Sequence, residues 1–245
     1  MAFSPGQSGN QEQPGLIAAP WHTAVVLLLL FGIAALTAWG LAQSPAGGSH
    51  PLYRVGSYTL GIVYEWLIVA FIVRGVRRGG RSISELVGGS WPTARALLLD
   101  VGIAFLFLFG SGVIVGALQF AMRNRPNPAV RSLLPETPLE IVLWIALSAT
   151  AGFCEETIFR GYLQRQLGAL TGSAAAGLLL QGVIFGVCHG YQGAKSIVAL
   201  GVYGCLFGVL AQQRRSLRPG MIAHFLQDGV GGLVLREVLK RLPAG

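Results

Sequence analysis

Residues 138–164 read PLEIVLWIALSATAGFCEETIFRGYLQ, an apolar segment that carries Glu155, Glu156 and Arg160 near its end. A membrane-spanning helix needs about 20 mostly apolar residues, so the segment is long enough to span a membrane. A charged side chain in the middle of a bilayer costs roughly 2.5–3.5 kcal/mol on insertion scales. Two acids and a base in such a helix therefore indicate either structural pairing or chemistry.

Two further apolar segments carry polar groups in the same way. Residues 185–189 read FGVCH and residues 224–228 read HFLQD. A helix rises about 1.5 Å per residue, and with tilt and side-chain reach these groups can meet Glu155 at one depth. The three motifs therefore predict a single polar site inside the membrane, nearer its cytoplasmic half.

The composition indicates a membrane protein. Of 245 residues, 53% are hydrophobic and only 11% are charged, against about 25% charged in a soluble domain. We expect an all-α fold, a polytopic transmembrane bundle of about seven spans. The formal net charge of +8 is weak evidence for nucleic acid, and the expected surroundings are a lipid bilayer. The spans are expected near residues 22–42, 55–73, 96–121, 138–164, 173–191, 196–212 and 219–236.

The chain divides into three predicted regions. Residues 1–20 form a disordered tail, residues 21–137 a three-helix membrane region, and residues 138–245 a four-helix membrane core with the motifs. Loop 74–95 is rich in arginine, and basic loops stay in the cytoplasm. The parity of the spans then places loops 165–172 and 213–218 on the same side.

Residue spacing suggests different tasks for the two glutamates. Glu156 and Arg160 share a helix face at i,i+4 and can pair, which leaves Glu155 free to point at the site. His224 and Asp228 have the same spacing. A carboxylate and an imidazole can together remove a proton from water, which accelerates hydrolysis about 10²–10⁴-fold. Because a second imidazole can stabilise an oxyanion, the predicted reaction is attack of water on a carbonyl, most simply an amide.

Structural interpretations compete with this one. The Glu156–Arg160 pair is also typical of a clamp between helices, and a membrane histidine is often only a structural hydrogen-bond donor. A thiol nucleophile at Cys154 or Cys188 is disfavoured, because free cysteine in a membrane usually behaves as a small apolar residue. Glu65, in the second span, is interpreted as an interfacial or packing group.

Taken in order, the three motifs resemble those of the CAAX-protease and bacteriocin-processing (CPBP, Abi-like) family of intramembrane proteases. The string EETIFRGYL at 155–163 is similar to the family's first motif, and the resemblance covers roughly residues 140–236. It implies a helical fold with the site inside the bilayer. It also implies a multi-pass protein of the bacterial inner membrane that cleaves a membrane-anchored protein or peptide.

The resemblance also implies residue roles. Glu155 and His189 would activate water as catalytic residues. His224 and Asp228 would stabilise the oxyanion. The residues that support the site would be Glu156, Arg160 and Phe185. No cofactor is expected, since the chain lacks a His-Glu-xx-His pair that favours zinc, although the four catalytic side chains are of types that bind a divalent metal.

Asp228 departs from the pattern of the prenyl-protein enzymes, which typically have asparagine there. Asparagine can donate a hydrogen bond to an oxyanion, whereas ionised aspartate cannot. Asp228 would therefore be protonated, orient His224, or bind a metal, and we expect donation from the protonated form.

Two other functions remain open from the sequence. One is a non-catalytic bacteriocin-immunity or scaffold membrane protein of the same family. The other is a proton-coupled transporter, which would predict an inverted repeat that the sequence does not show. The substrate is not indicated, and prenylated tails, bacteriocin leaders and C-terminal sorting segments are all open.

Overall fold

The computed structural model describes residues 15–43, 51–124 and 131–241, and every regular element among them is helical. The predicted all-α fold is confirmed. The helices are α1 Pro20–Gln43, α2 Pro51–Arg78, α3 Ile83–Val87, α4 Ala94–Ala121, α5 Pro138–Glu155, α6 Gln164–Thr171, α7 Ala174–Cys188, α8 Ala194–Arg214, α9 Arg218–Leu226 and α10 Gly232–Arg241. Two π-helical segments, Glu156–Leu163 and Gln227–Gly231, join α5 to α6 and α9 to α10.

Residues 1–14 of the predicted disordered tail lie outside the described residues. Residues 15–19 are described and pack against the bundle, because the backbone N–H groups of Ile17 and Ala18 donate to Oε1 of Gln166. Ile17 and Ala18 are buried. The last residues before α1 are therefore fixed to the C-terminal half of the chain.

Among the described residues, five helices are long and apolar enough to cross a membrane: Pro20–Leu41, Leu52–Arg78, Ala94–Ala121, Pro138–Thr171 and Ala194–Arg214. The fourth runs without a break through the first motif, as expected. The predicted fifth span is α7, which has only 15 residues. The predicted seventh span is α9, its π segment and α10.

One end of the bundle collects the arginine-rich loops. Arg165 donates to the carbonyls of Glu85, at 3.1 Å, and Leu86, at 3.0 Å. The backbone N–H of Leu217 donates to the carbonyl of Val87 at 2.9 Å. The residues around α3, the start of α6 and the loop after α8 therefore lie together, as the parity of the spans predicts. Residues 165–171 of the predicted loop 165–172 are helical, because they belong to α6.

The opposite end brings together the remaining helix ends. Arg54 Nη2 pairs with the Glu136 carboxylate at 3.0 Å, and Arg236 donates to the Glu136 carbonyl at 3.1 Å. Lys195 donates to the carbonyl of Arg123 at 3.3 Å. The chain therefore runs back and forth between the two ends of the bundle. It does so through α1, α2, α4, α5–α6, α7, α8 and α9–α10 in turn, which agrees with about seven spans.

Glycines let α7 and α8 approach closely near the second motif. A Cβ on Gly182 would lie 2.3 Å from Sγ of Cys205, and a Cβ on Gly186 would lie 2.3 Å from the carbonyl oxygen of Ile197. Only glycine leaves room for this contact. The packing holds the end of α7, where His189 follows, against α8.

The short helix α7 provides a sharp test of topology. Thr171 and Ala194 flank it and are both exposed. We expect Thr171→Cys to react with a membrane-impermeant maleimide from the cytoplasmic side only, and Ala194→Cys from the other side only. The native cysteines are buried or half-buried, so the unmodified chain is the control. Labelling of both positions from one side would show that α7 enters and leaves by the same face.

Candidate active site

The centre of the site is a buried ion pair between Arg160 and Glu156. Arg160 Nη1 donates to Glu156 Oε1 at 2.8 Å, and its Nη2 donates to the Gly204 carbonyl at 3.2 Å. The guanidinium carbon lies 4.5 Å from the ring centroid of Phe185 and 4.9 Å from that of Phe207. A cation between two aromatic faces gains further attraction, more so when it is desolvated. The pair therefore links the π segment to α7 and α8.

His224 joins this pair to two more carboxylates. Its Nδ1 lies 3.0 Å from Glu156 Oε1, and its Nε2 lies 3.4 Å from Asp228 Oδ2 and 3.7 Å from Glu155 Oε2. An imidazolium donates from both nitrogens, whereas a neutral ring donates from one. The cationic ring is therefore the form that suits three surrounding carboxylates.

Exposure rises across this cluster from one carboxylate to the next. The Glu156 side chain is 1% exposed, that of Glu155 is 17% and that of Asp228 is 40%. The cluster is closed at the ion pair and open at Asp228. The cluster is therefore most accessible from outside the protein at Asp228.

The adjacent glutamates have different surroundings. Glu156 Oε1 serves both Arg160 and His224. The second oxygen of each carboxylate, Glu155 Oε2 and Glu156 Oε2, is buried without a hydrogen-bond partner among the described residues. Glu156 is held through its Oε1, whereas Glu155 has only the longer 3.7 Å contact with His224 Nε2 among the described residues. Because buried polar atoms are usually satisfied, the Glu155 carboxylate is the one left to accept a hydrogen bond from a water or another ligand.

His189 lies where α7 ends. Its backbone leaves the helix, with φ −97° and ψ 17°, and its Nδ1 lies 2.8 Å from the Phe185 carbonyl. A carbonyl only accepts, so Nδ1 carries the proton, and in the neutral ring Nε2 keeps a free lone pair. The contact at Nδ1 therefore fixes the ring and leaves Nε2 as its acceptor atom.

Phe185 packs between the two histidines. The His189 ring lies 4.6 Å from the Phe185 centroid, and the His224 ring lies 6.3 Å from it on an edge. The structure brings Glu155, Glu156, His224 and Asp228 into direct contact range. In the described part of the chain His189 forms no ion pair with an acid. The catalytic and supporting roles of all these residues stay predictions.

One residue near the site lies outside the three sequence motifs. Glu65 of α2 interacts electrostatically with Glu155, His224 and Asp228. An acid in an apolar span was the available signal, but nothing in the sequence told which helix α2 packs against.

The site contains donor types that zinc accepts. Among the described residues, however, no three of the histidine, cysteine, aspartate and glutamate side chains are grouped to hold a metal ion. The expectation of catalysis without a cofactor stays a prediction.

Comparison with known protein families gives a match in the region of the three motifs. Residues 137–230 match the model of the Rce1-like family, described as type II CAAX prenyl endopeptidase Rce1-like. The match begins at α5 and contains all three motifs, so the resemblance to CAAX proteases is confirmed. No significant match exists among the curated proteins or the solved structures. The chain is an integral membrane protein whose motif region is similar to a protease family.

The different surroundings of the two glutamates lead to a stability prediction. Glu156→Gln should lower the melting temperature in detergent by roughly 10 °C, since breaking a buried pair costs about 3–5 kcal/mol. Glu155→Gln should change it by no more than about 3 °C, because Gln keeps the size and an acceptor oxygen, and Glu155 Oε2 forms no hydrogen bond with the described residues. Equal losses in the two variants would contradict this division of tasks.

Proposed function

We propose that this protein is an intramembrane endopeptidase that hydrolyses a peptide bond of a membrane-associated protein or peptide. The observation that supports this best is the free, buried Oε2 of Glu155 beside His224. The similarity of residues 137–230 to a prenyl endopeptidase family supports the same reaction. The bacterial inner membrane is the proposed location.

Water activation would begin at Glu155. Its unpartnered carboxylate oxygen accepts a hydrogen bond from the attacking water and then takes the proton. The free Nε2 lone pair of His189, fixed by the Nδ1 contact with Phe185, accepts the water's other hydrogen. With both hydrogens held, the lone pair of the water oxygen points at the substrate carbonyl.

The attack would form a carbon–oxygen bond and place a negative charge on the former carbonyl oxygen. The Nε2–H of the His224 imidazolium donates to this oxyanion. Glu156 and Arg160 keep the ring in place through the 3.0 Å contact at Nδ1. Asp228, 3.4 Å from Nε2, lies close enough to address the same oxygen.

The intermediate would then collapse. The proton taken by Glu155 passes to the leaving nitrogen, the carbon–nitrogen bond breaks, and a new carboxyl end and a free amine separate. Glu155 returns to its carboxylate form, so the same group serves as base and then as acid. No covalent bond to the protein is required.

A non-catalytic immunity or scaffold protein is the second candidate. A scaffold would be served by the buried Glu156, Arg160 and His224 alone, because their contacts already link the helices. It would not explain why a fourth ionisable group, Glu155, lies beside them with a buried oxygen that accepts no hydrogen bond from the described part of the chain. This observation favours the enzyme.

The direct test is hydrolysis of membrane peptides by the purified protein. A suitable panel holds a prenylated peptide with a CAAX end (cysteine, two aliphatic residues and any last residue), a bacteriocin-leader peptide and a single-span peptide with a sorting tail. Glu155→Gln should lower cleavage at least about 10²-fold, because it removes the base and keeps the size.

Two results would sink the proposal. One is an unchanged cleavage rate in a folded Glu155→Gln variant. The other is no cleavage of any peptide by wild-type protein in liposomes while it confers immunity or assembles with a partner in cells. Glu237→Gln is a matched control, since Glu237 is an exposed acid on α10.

Asp228→Asn tests the oxyanion contact. The amide oxygen can keep the contact with His224 Nε2, while the amide N–H₂ can donate to the oxyanion, which an ionised carboxylate cannot. Activity at neutral pH should therefore be retained or raised in the peptide assay. A folded Asp228→Asn enzyme with almost no activity would show instead that the negative charge beside His224 is needed.

A further inference from the structure

Glu65 is an ionisable group that neither the motifs nor the mechanism uses. It lies in α2, outside the matched residues 137–230. Its Oε2 is buried and has no hydrogen-bond partner among the described residues. An unsatisfied carboxyl in an apolar setting is costly, because desolvation is not offset by a new hydrogen bond.

The packing of α2 against α5 places Glu65 at the level of the site. The Tyr58 ring meets the Trp144 ring at 5.7 Å, and farther along the Trp66 ring stacks on Phe153 at 5.4 Å. The two helices therefore run in the same direction in nearly constant register. Glu65, next to Trp66, is level with the last turn of α5, where Glu155 lies.

Electrostatics agree with this placement. Among charged groups, Glu65 interacts with Glu155 at the end of α5 and with His224 and Asp228 on the α9 side. Glu155 also has a buried oxygen, Oε2, without a partner among the described residues. Two carboxyl groups at one level of adjacent helices, each with an unsatisfied oxygen, are both satisfied when one carries a proton and donates it to the other directly or through a water.

We propose that Glu65 is a positioning residue of the hydrolytic site, whose protonated carboxyl donates a hydrogen bond to the Glu155 carboxylate directly or through one water. The proton stays on Glu65 throughout the reaction. The contact occupies one face of the Glu155 carboxylate and directs its other lone pairs to the attacking water. This role rests on the proposed function, and it makes the N-terminal three-helix region part of the site.

The role predicts different results for two substitutions. Glu65→Gln keeps an N–H donor in the same place, so kcat should stay within about threefold of wild type. Glu65→Leu removes the donor, so kcat should fall at least about tenfold with KM unchanged.

Glu237→Gln serves again as the control acid. A folded Glu65→Leu enzyme with wild-type kcat would reduce Glu65 to a packing group. A Glu65→Gln enzyme as inactive as Glu65→Leu would overturn the donor role.

Melting temperatures test the contact without any activity, and so separate it from the proposed function. In the wild-type chain Glu65→Leu should lower the melting temperature, because the Glu155 carboxylate loses the donor that the proposal assigns to it. In a Glu155→Ala background the same change should leave the melting temperature unchanged or raise it, because it removes a buried carboxyl without a partner. The same shift in both backgrounds would overturn the contact even if the wild type hydrolyses peptides.

Discussion

A guanidinium group buried among membrane helices needs partners within the protein, and the arrangement of the site depends on those of Arg160. The carboxylate of Glu156 and the carbonyl of Gly204 accept its hydrogen bonds, and two phenylalanine rings cover its faces. Glu156 in turn holds His224. One ion pair therefore fixes the positions of the π segment, α7, α8 and α9 relative to one another. Because removal of either charge would leave the other unpaired in an apolar medium, the pair is far more costly to break than a surface salt bridge.

The two π-helical segments also lie at the site. A π turn widens the helix locally and is found mostly at functional sites. Here one segment begins at Glu156 and the other at Gln227, beside Asp228. The helix that supplies Glu155 and the helix that supplies His224 thus both change their turn within the site. The cluster closes around Arg160 and opens towards Asp228, with Glu155 between the buried and the exposed acid.

Much of this follows from the sequence, because its signals are local. Apolar length marks the helices, and the i,i+4 spacing of Glu156 and Arg160 predicts their contact. The rest depends on which helices become neighbours. Burial of His22 through contacts with Tyr162 and the Phe71 carbonyl joins residues far apart in the chain, and the sequence carries no signal for it. Glu65 was assigned to packing for the same reason. The π turns were also missed, since their residues have the same apolar pattern as an α-helix.

The central claim is that water attacks the substrate directly at a glutamate-based site inside the membrane. Single-turnover cleavage of a membrane peptide in H₂¹⁸O, followed by mass spectrometry of both peptide and protein, tests this most directly. The account predicts one ¹⁸O in the new carboxyl end of the peptide and a protein mass that stays unchanged from mixing to completion. A transient increase in protein mass by the acyl fragment, located on Cys154 or Cys188, would contradict it and show a covalent thiol mechanism.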